Sequence, residues 1–173
     1  MKDLPKTTKH KKALLVLDMQ EICVGTKHSK LFRYDKQIVK KANEIIKSND
    51  TVIYIRTLLK NKFPYTLSPI RVFDKDKNTE LAKELLKKGD IVFDKYKGDA
   101  FSNPKLLPFL HSNNIDAVEI IGVDGGGCVS LTALSAIKND LNVIINTKAI
   151  DTMFKNRQAK LFKILKQKGA IFI

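Results

Sequence analysis

Asp18, Lys95 and Cys128 each stand at or just beyond the end of a short apolar run. A thiol becomes a strong nucleophile when it loses its proton, and a nearby ammonium or helix N-terminus favours that loss. A carboxylate within reach can take the proton and later return it to a leaving amine. Acid, ammonium and thiol together would therefore suit acyl transfer from an amide. Singly, each has an ordinary explanation. An Asp after a strand caps a turn, a Lys there is a solvated charge, and a Cys opening a helix is a small buried hydrophobe. Only joint placement in one crevice makes them chemistry.

The elements that would place them are legible as alternating apolar runs and helical repeats. ALLVLDM (13–19), TVIYIRTLL (51–59), IVFDK (91–95), AVEIIGV (117–123), LNVIINTKAI (141–150) and AIFI (170–173) read as six strands. Residues 35–48 carry apolar positions at helical spacing, with Asp35 as cap. Residues 78–89 read as a helix with Asn78 or Thr79 at its start and Gly89 at its end. Further helices are expected at 103–114, from the glycine run to about Asp140, and at 155–169, with 60–78 an irregular surface excursion. This alternation predicts an α/β, Rossmann-like, single-domain three-layer sandwich over 1–173. It would have a six-stranded, mostly parallel sheet with helices on both faces, and residues 1–11 would form a basic tail. Ligands in such folds sit beyond the carboxyl ends of the strands.

The run IIGVDGGGCV (120–129) spends three of the chain's eight glycines immediately before Cys128. A Gly-rich bend between strand and helix lets backbone N–H groups approach a ligand, here a developing oxyanion beside the thiol.

Composition limits the alternatives. The net charge of +14 comes almost wholly from lysine, with only Arg33, Arg56, Arg71 and Arg157. Bidentate recognition of phosphate and bases favours arginine, so a solvated lysine surface is expected rather than a nucleic-acid face. No apolar run of membrane-spanning length and no signal-peptide pattern is present. Two cysteines are too few for a disulfide framework and suit a reducing cytoplasm.

With these residues assembled, the chain resembles the isochorismatase-like superfamily of cysteine hydrolases, which includes nicotinamidases and N-carbamoyl amide hydrolases. LLVLDMQ (14–20), the stretch 77–101 ending in Ala-Phe, and IIGVDGGGCVSLTALSA (120–136) carry the resemblance, in the family's order. It implies Asp18 as catalytic base, Lys95 rather than Lys97 as the triad lysine, and Cys128 as nucleophile. It also implies a cis peptide at Val123–Asp124 and an oxyanion hole from the N–H groups of Asp124 and Cys128. Gln20, Cys23, Phe101, Gly125 and Gly126 are the expected pocket residues.

The sequence departs from the family where Gly125 replaces a usual threonine, where Cys23 replaces a phenylalanine, and where Asp99 replaces a serine and adds a negative charge near Lys95. Nicotinamidases bind a metal through an Asp and histidines after the second strand. With only His10, His28 and His111, this chain is expected to hold no metal and no cofactor. The resemblance implies a small-molecule amide or carbamoyl substrate, a thioester intermediate, and a homo-oligomer, dimer or tetramer. Two other readings stand beside it. One is an isochorismatase-type vinyl-ether hydrolase using Asp18 and Lys95. The other is a non-catalytic relative with an assembly or nucleic-acid-binding role.

Overall fold

The computed structural model describes residues 11–25, 32–58 and 79–173. The expected basic tail, apart from its last residue, and the 60–78 excursion lie outside the described residues.

Six parallel strands form one sheet: β1 (Lys12–Leu17), β2 (Val52–Thr57), β3 (Val92–Lys95), β4 (Ala117–Gly122), β5 (Asn142–Ile150) and β6 (Ile171–Phe172). Their order is β3-β2-β1-β4-β5-β6, so the chain winds outward from the centre in both directions. The order reverses between β1 and β4, which makes the carboxyl edge of that pair the topological switch point.

β1 shows why its apolar run is continuous. Ala13, Leu15 and Leu17 enter one core, Leu14 and Val16 the other, and all five are fully buried. Burying one such side chain is worth about 1.5–3 kcal/mol. On the second face lies α2 (Ile38–Lys47), which buries Ile38, Val39, Ala42 and Ile46. The first face carries α3 (Leu106–Ser112), α4 (Ser130–Lys138) and α5 (Lys155–Gln167) through Leu106, Leu110, Ala133, Ala136 and Leu165. A one-turn helix, α1 (Glu21–Val24), follows β1. The N-cap of α2 is Gln37, without a side-chain cap bond; Asp35, the expected cap, sits in the turn before it and accepts from the Gln37 N–H at 2.9 Å.

The helix expected over 78–89 is absent from its described part, residues 79–89, which run through turns and irregular backbone. Capping chemistry there is overridden by partners elsewhere in the fold. The Ala82 N–H donates to the Met19 carbonyl (2.9 Å), and the Glu80 carbonyl accepts from the Glu21 N–H (2.8 Å). The Asn43 side chain takes both the Glu84 carbonyl and the Leu86 N–H, and the Lys88 N–H donates to the Tyr54 hydroxyl. Leu81, Ala82 and Leu85 are meanwhile buried in the second core. The segment is a strap tied down at separate points.

Gly122 closes β4 at φ +117, and a Cβ there would lie 2.0 Å from the Leu17 carbonyl oxygen. Only glycine permits that approach of β4 to β1, directly below the switch point.

Candidate active site

Three strand ends converge. Asp18 follows β1 in the left-handed region at φ +54, Lys95 ends β3, and Cys128 lies in the bend after β4. Lys95 is completely buried and Asp18 is 5% exposed, whereas Lys97 is exposed. The Lys95 ammonium donates to Asp18 Oδ2 (2.9 Å), to Cys128 Sγ (3.2 Å) and to Thr57 Oγ1. Thr57 in turn donates to Asp18 Oδ1 at 2.8 Å. A buried lysine needs such a set of acceptors, because desolvation otherwise expels its charge. Burial does work against the ammonium, but Asp18 and Cys128 outweigh it and hold the Lys95 pKa above the ordinary lysine value.

The second strand fixes this cluster. Arg56 forms a two-pronged pair with Asp94 (2.7 and 3.0 Å), tying β2 to β3 one residue before Thr57 and Lys95. Gln20 accepts from the Thr57 N–H (2.8 Å) and donates to the carbonyls of Thr57 (3.1 Å) and Thr79 (2.7 Å).

The electrostatics of the thiol differ from the sequence expectation. Burial and then the Asp18 charge outweigh Lys95, and the Cys128 pKa is pushed up to about 12. Nor does Cys128 open a regular helix. It sits in a wide turn, Gly125–Val129, where the Val129 N–H reaches back to the Asp124 carbonyl (3.1 Å) before α4 begins. In the free site, burial and the Asp18 charge thus favour the protonated thiol.

The Val123–Asp124 peptide is cis. In the bend, the N–H of Gly125 donates to the Asp151 carbonyl, those of Gly127 and Val129 to the Asp124 carbonyl, and that of Gly126 to the Asp124 and Thr152 side chains. The glycines have unequal reasons. A Cβ on Gly125 would lie 2.2 Å from Gln158 Nε2, and one on Gly126 would lie 2.8 Å from the Phe154 carbonyl oxygen. Both meet the start of α5. A Cβ on Gly127 would meet only the Asp124 side chain, at ordinary distances of 3.6 Å (Cβ) and 3.9 Å (Oδ1).

A cavity of about 260 Å³ is lined by Asp18, Gln20, Ile22, Cys23, Phe32, Tyr34, Thr57, Val123, Asp124, Gly127, Cys128 and Phe154. Gln20 and Cys23 line this cavity. Phe101, Gly125 and Gly126 are not among the lining residues. Phe101 packs against the first core, and Gly125 and Gly126 lie beneath α5. Cys23 is a free thiol whose pKa burial and Asp18 drive far upward, so it stays protonated. Asp99 takes no part at Lys95. Its carboxylate accepts from the Phe101 N–H (2.9 Å) and caps a single turn at Ala100–Ser102.

Thr57, Tyr34, Phe32 and Phe154 escaped the sequence reading. For Thr57 a signal existed: it is a polar residue at the carboxyl end of an apolar central strand. The three aromatics lie outside any motif. Among the described residues no group of three or more His, Cys, Asp or Glu could hold a metal ion, and no helix is long and apolar enough to cross a membrane.

Fold and site together define a Rossmann-like α/β hydrolase in which acid, ammonium and thiol meet at the switch point. The family model described as the isochorismatase domain matches residues 12–173, and the chain belongs to that family of hydrolases. The fold is similar to that of an isochorismatase-like hydrolase from Alkaliphilus metalliredigens (TM-score 0.80, 21% identity, covering 95% of this chain and 92% of that one). It is similar also to PnC1 from L. infantum in complex with nicotinate (TM-score 0.83, 18% identity, 94% and 92%). A third likeness is to N-carbamoylsarcosine amidase from Thermoplasma acidophilum (TM-score 0.77, 23% identity, 94% and 95%). No curated protein matched the sequence.

Proposed function

We propose that the protein is a cysteine amidohydrolase that cleaves a C–N amide or carbamoyl bond of a small molecule through a thioester on Cys128. One observation carries the reading: a single buried ammonium, Lys95, is shared by Asp18 and Cys128, which both line a small cavity. Moving the thiol proton to Asp18 leaves the net charge of the site unchanged. The burial that opposes its loss to water therefore opposes this internal transfer much less. Sulfur attacks the substrate carbonyl as Asp18 takes the proton, and Lys95 stabilises the developing thiolate. The tetrahedral oxyanion is met by the N–H groups of Asp124 and Cys128, while those of Gly125, Gly126, Gly127 and Val129 are committed within the protein. Asp18 passes its proton to the departing amine, the C–N bond breaks, and a thioester remains. Water then attacks, giving its proton to Asp18. The acid leaves, and Asp18 returns the proton to Cys128.

The cavity supports an uncharged substrate of mainly apolar body. Its walls are Ile22, Phe32, Tyr34 and Phe154, and its charged lining residues among those described are two aspartates. Isochorismate, a dicarboxylate, would meet carboxylates there, with no cationic lining residue among those described. Free thiols suit a cytoplasmic enzyme, and a homo-oligomer is the proposed assembly.

Cys128→Ala separates the readings by steady-state kinetics. Amide hydrolysis should fall to background, by about 10³-fold or more, as for loss of a nucleophile. Undiminished turnover, of an amide or of a vinyl ether, would replace this proposal with acid-base chemistry at Asp18 and Lys95.

A further inference from the structure

We infer that the Asp124 side chain, and not only its backbone N–H, positions the oxyanion hole, taking over the bracing that three successive glycines cannot give. This rests on the hydrolase reading above and assigns a role within the same site.

The bend has almost no side chains of its own. From Gly125 to Gly127 nothing projects that could anchor the backbone, and glycine is the residue with the most freedom to lose. Asp124 supplies the missing anchor from the bend's first residue. Its Oδ1 accepts from the Gly126 N–H (2.7 Å) and from the Thr152 hydroxyl. Its Oδ2 accepts from the Met153 N–H (2.7 Å) and the Tyr34 hydroxyl (3.2 Å). Four donors thus surround one buried carboxylate, arriving from the bend itself, from the segment between β5 and α5, and from the cavity wall. Charge-assisted bonds of this kind are the stronger class. Tyr34 is kept a donor, because burial and the Asp124 charge both raise its pKa.

The clamp is closed from the other side. The Thr152 hydroxyl accepts from the N–H groups of Gly126 (3.1 Å) and Phe154 (2.9 Å), and the Gly125 N–H donates to the Asp151 carbonyl (2.9 Å). Phe154 and Gln158 then press on Gly125 and Gly126 at distances that exclude a Cβ. The glycines let α5 approach, and the carboxylate fixes what they leave loose. An oxyanion hole depends on donors held in place before the charge develops, so Asp124 acts through the aim of its own N–H and that of Cys128.

Two reactions of Cys128 distinguish this role from a merely structural one. Acetylation by p-nitrophenyl acetate passes through an oxyanion; alkylation by iodoacetamide displaces iodide and does not. In Asp124→Asn the acetylation rate should fall about tenfold or more, with the alkylation rate within about twofold of wild type. Thr152→Val should move the same ratio in the same direction, and Thr152→Ser should restore it, which covers the case of an Asn variant that fails to fold. Rates that fall together, or an unchanged acetylation rate, would overturn the inference. The wild-type arm reports separately on the reading beneath it. If wild-type Cys128 takes no acetyl group, the hydrolase mechanism fails and this role fails with it. If the wild type is acetylated and the variants match it, the role of Asp124 alone is lost.

Discussion

The Lys95 ammonium stands 2.9 Å from the Asp18 carboxylate, at the ends of strands two places apart in the sheet and 77 residues apart in sequence. Lys95 is completely buried and Asp18 nearly so, and each is the condition for the other's burial. Removing one partner leaves an uncompensated buried charge. Lys95→Ala should destabilise the fold by about 3–5 kcal/mol in urea unfolding, beyond its loss of activity. The double variant Asp18→Ala/Lys95→Ala should recover part of that loss, since no charge is then stranded. Strictly additive losses would mean that the two do not act as a pair.

Thr57 bridges this pair, donating to Asp18 Oδ1 and accepting from Lys95. Thr57→Val keeps the β-branched shape and removes the bridge. We expect kcat to fall about tenfold with KM within about twofold, because the change touches the groups that move the proton rather than the cavity walls. A rise in KM at constant kcat would place Thr57 in substrate binding instead.

The three glycines before Cys128 should respond unequally. Gly126→Ala drives a Cβ into the Phe154 carbonyl and should abolish activity or lower the melting temperature by several degrees, through about 1–3 kcal/mol of overpacking. Gly127→Ala has ordinary space and should cost less than Gly126→Ala. Equal losses at both positions would contradict the account of the bend.

That inequality marks where the sequence stops being informative. The glycine run was legible as a bend at a strand end, and the meeting of Asp18, Lys95 and Cys128 as a consequence of strand ends sharing one edge of the sheet. Which glycine answers to which neighbour depends on α5, thirty residues further on and invisible to local pattern. Tyr34 and Phe154 were missed for the same reason, since an aromatic outside an element has no period to betray the surface it covers. Residues 79–89 failed in the opposite way. Their spacing and caps were helical, but hydrogen bonds to Met19, Asn43 and Tyr54 and the burial of Leu81 and Leu85 outweighed propensity. The rise in the thiol's pKa was unreadable because it follows from burial, which spacing does not report.

The direction of that shift sets a pH dependence. Cys128 has its ordinary value near 9.0 when unfolded and about 12 when folded, so the native state holds its proton more tightly. The stability this contributes is complete below pH 9 and drains away as pH rises from 9 towards 12. Wild type should therefore lose urea stability relative to Cys128→Ala on going from pH 8 to pH 10.5. Alkylation of Cys128 by iodoacetamide should likewise keep climbing through pH 9–10 without the plateau of an ordinary thiol. A plateau near pH 8.5, or a stability difference that does not change with pH, would show that Lys95 outweighs burial after all.

The central claim is that sulfur becomes covalently bound to the acyl group while Asp18 carries its proton. Rapid acid quenching of the enzyme with a pool of small neutral amides, followed by intact mass and peptide mapping, tests it most directly. The account predicts one acyl adduct, on Cys128, that is missing in Asp18→Asn and in Cys128→Ala. Turnover with no adduct at any quench time, or an adduct on Cys23, would contradict it.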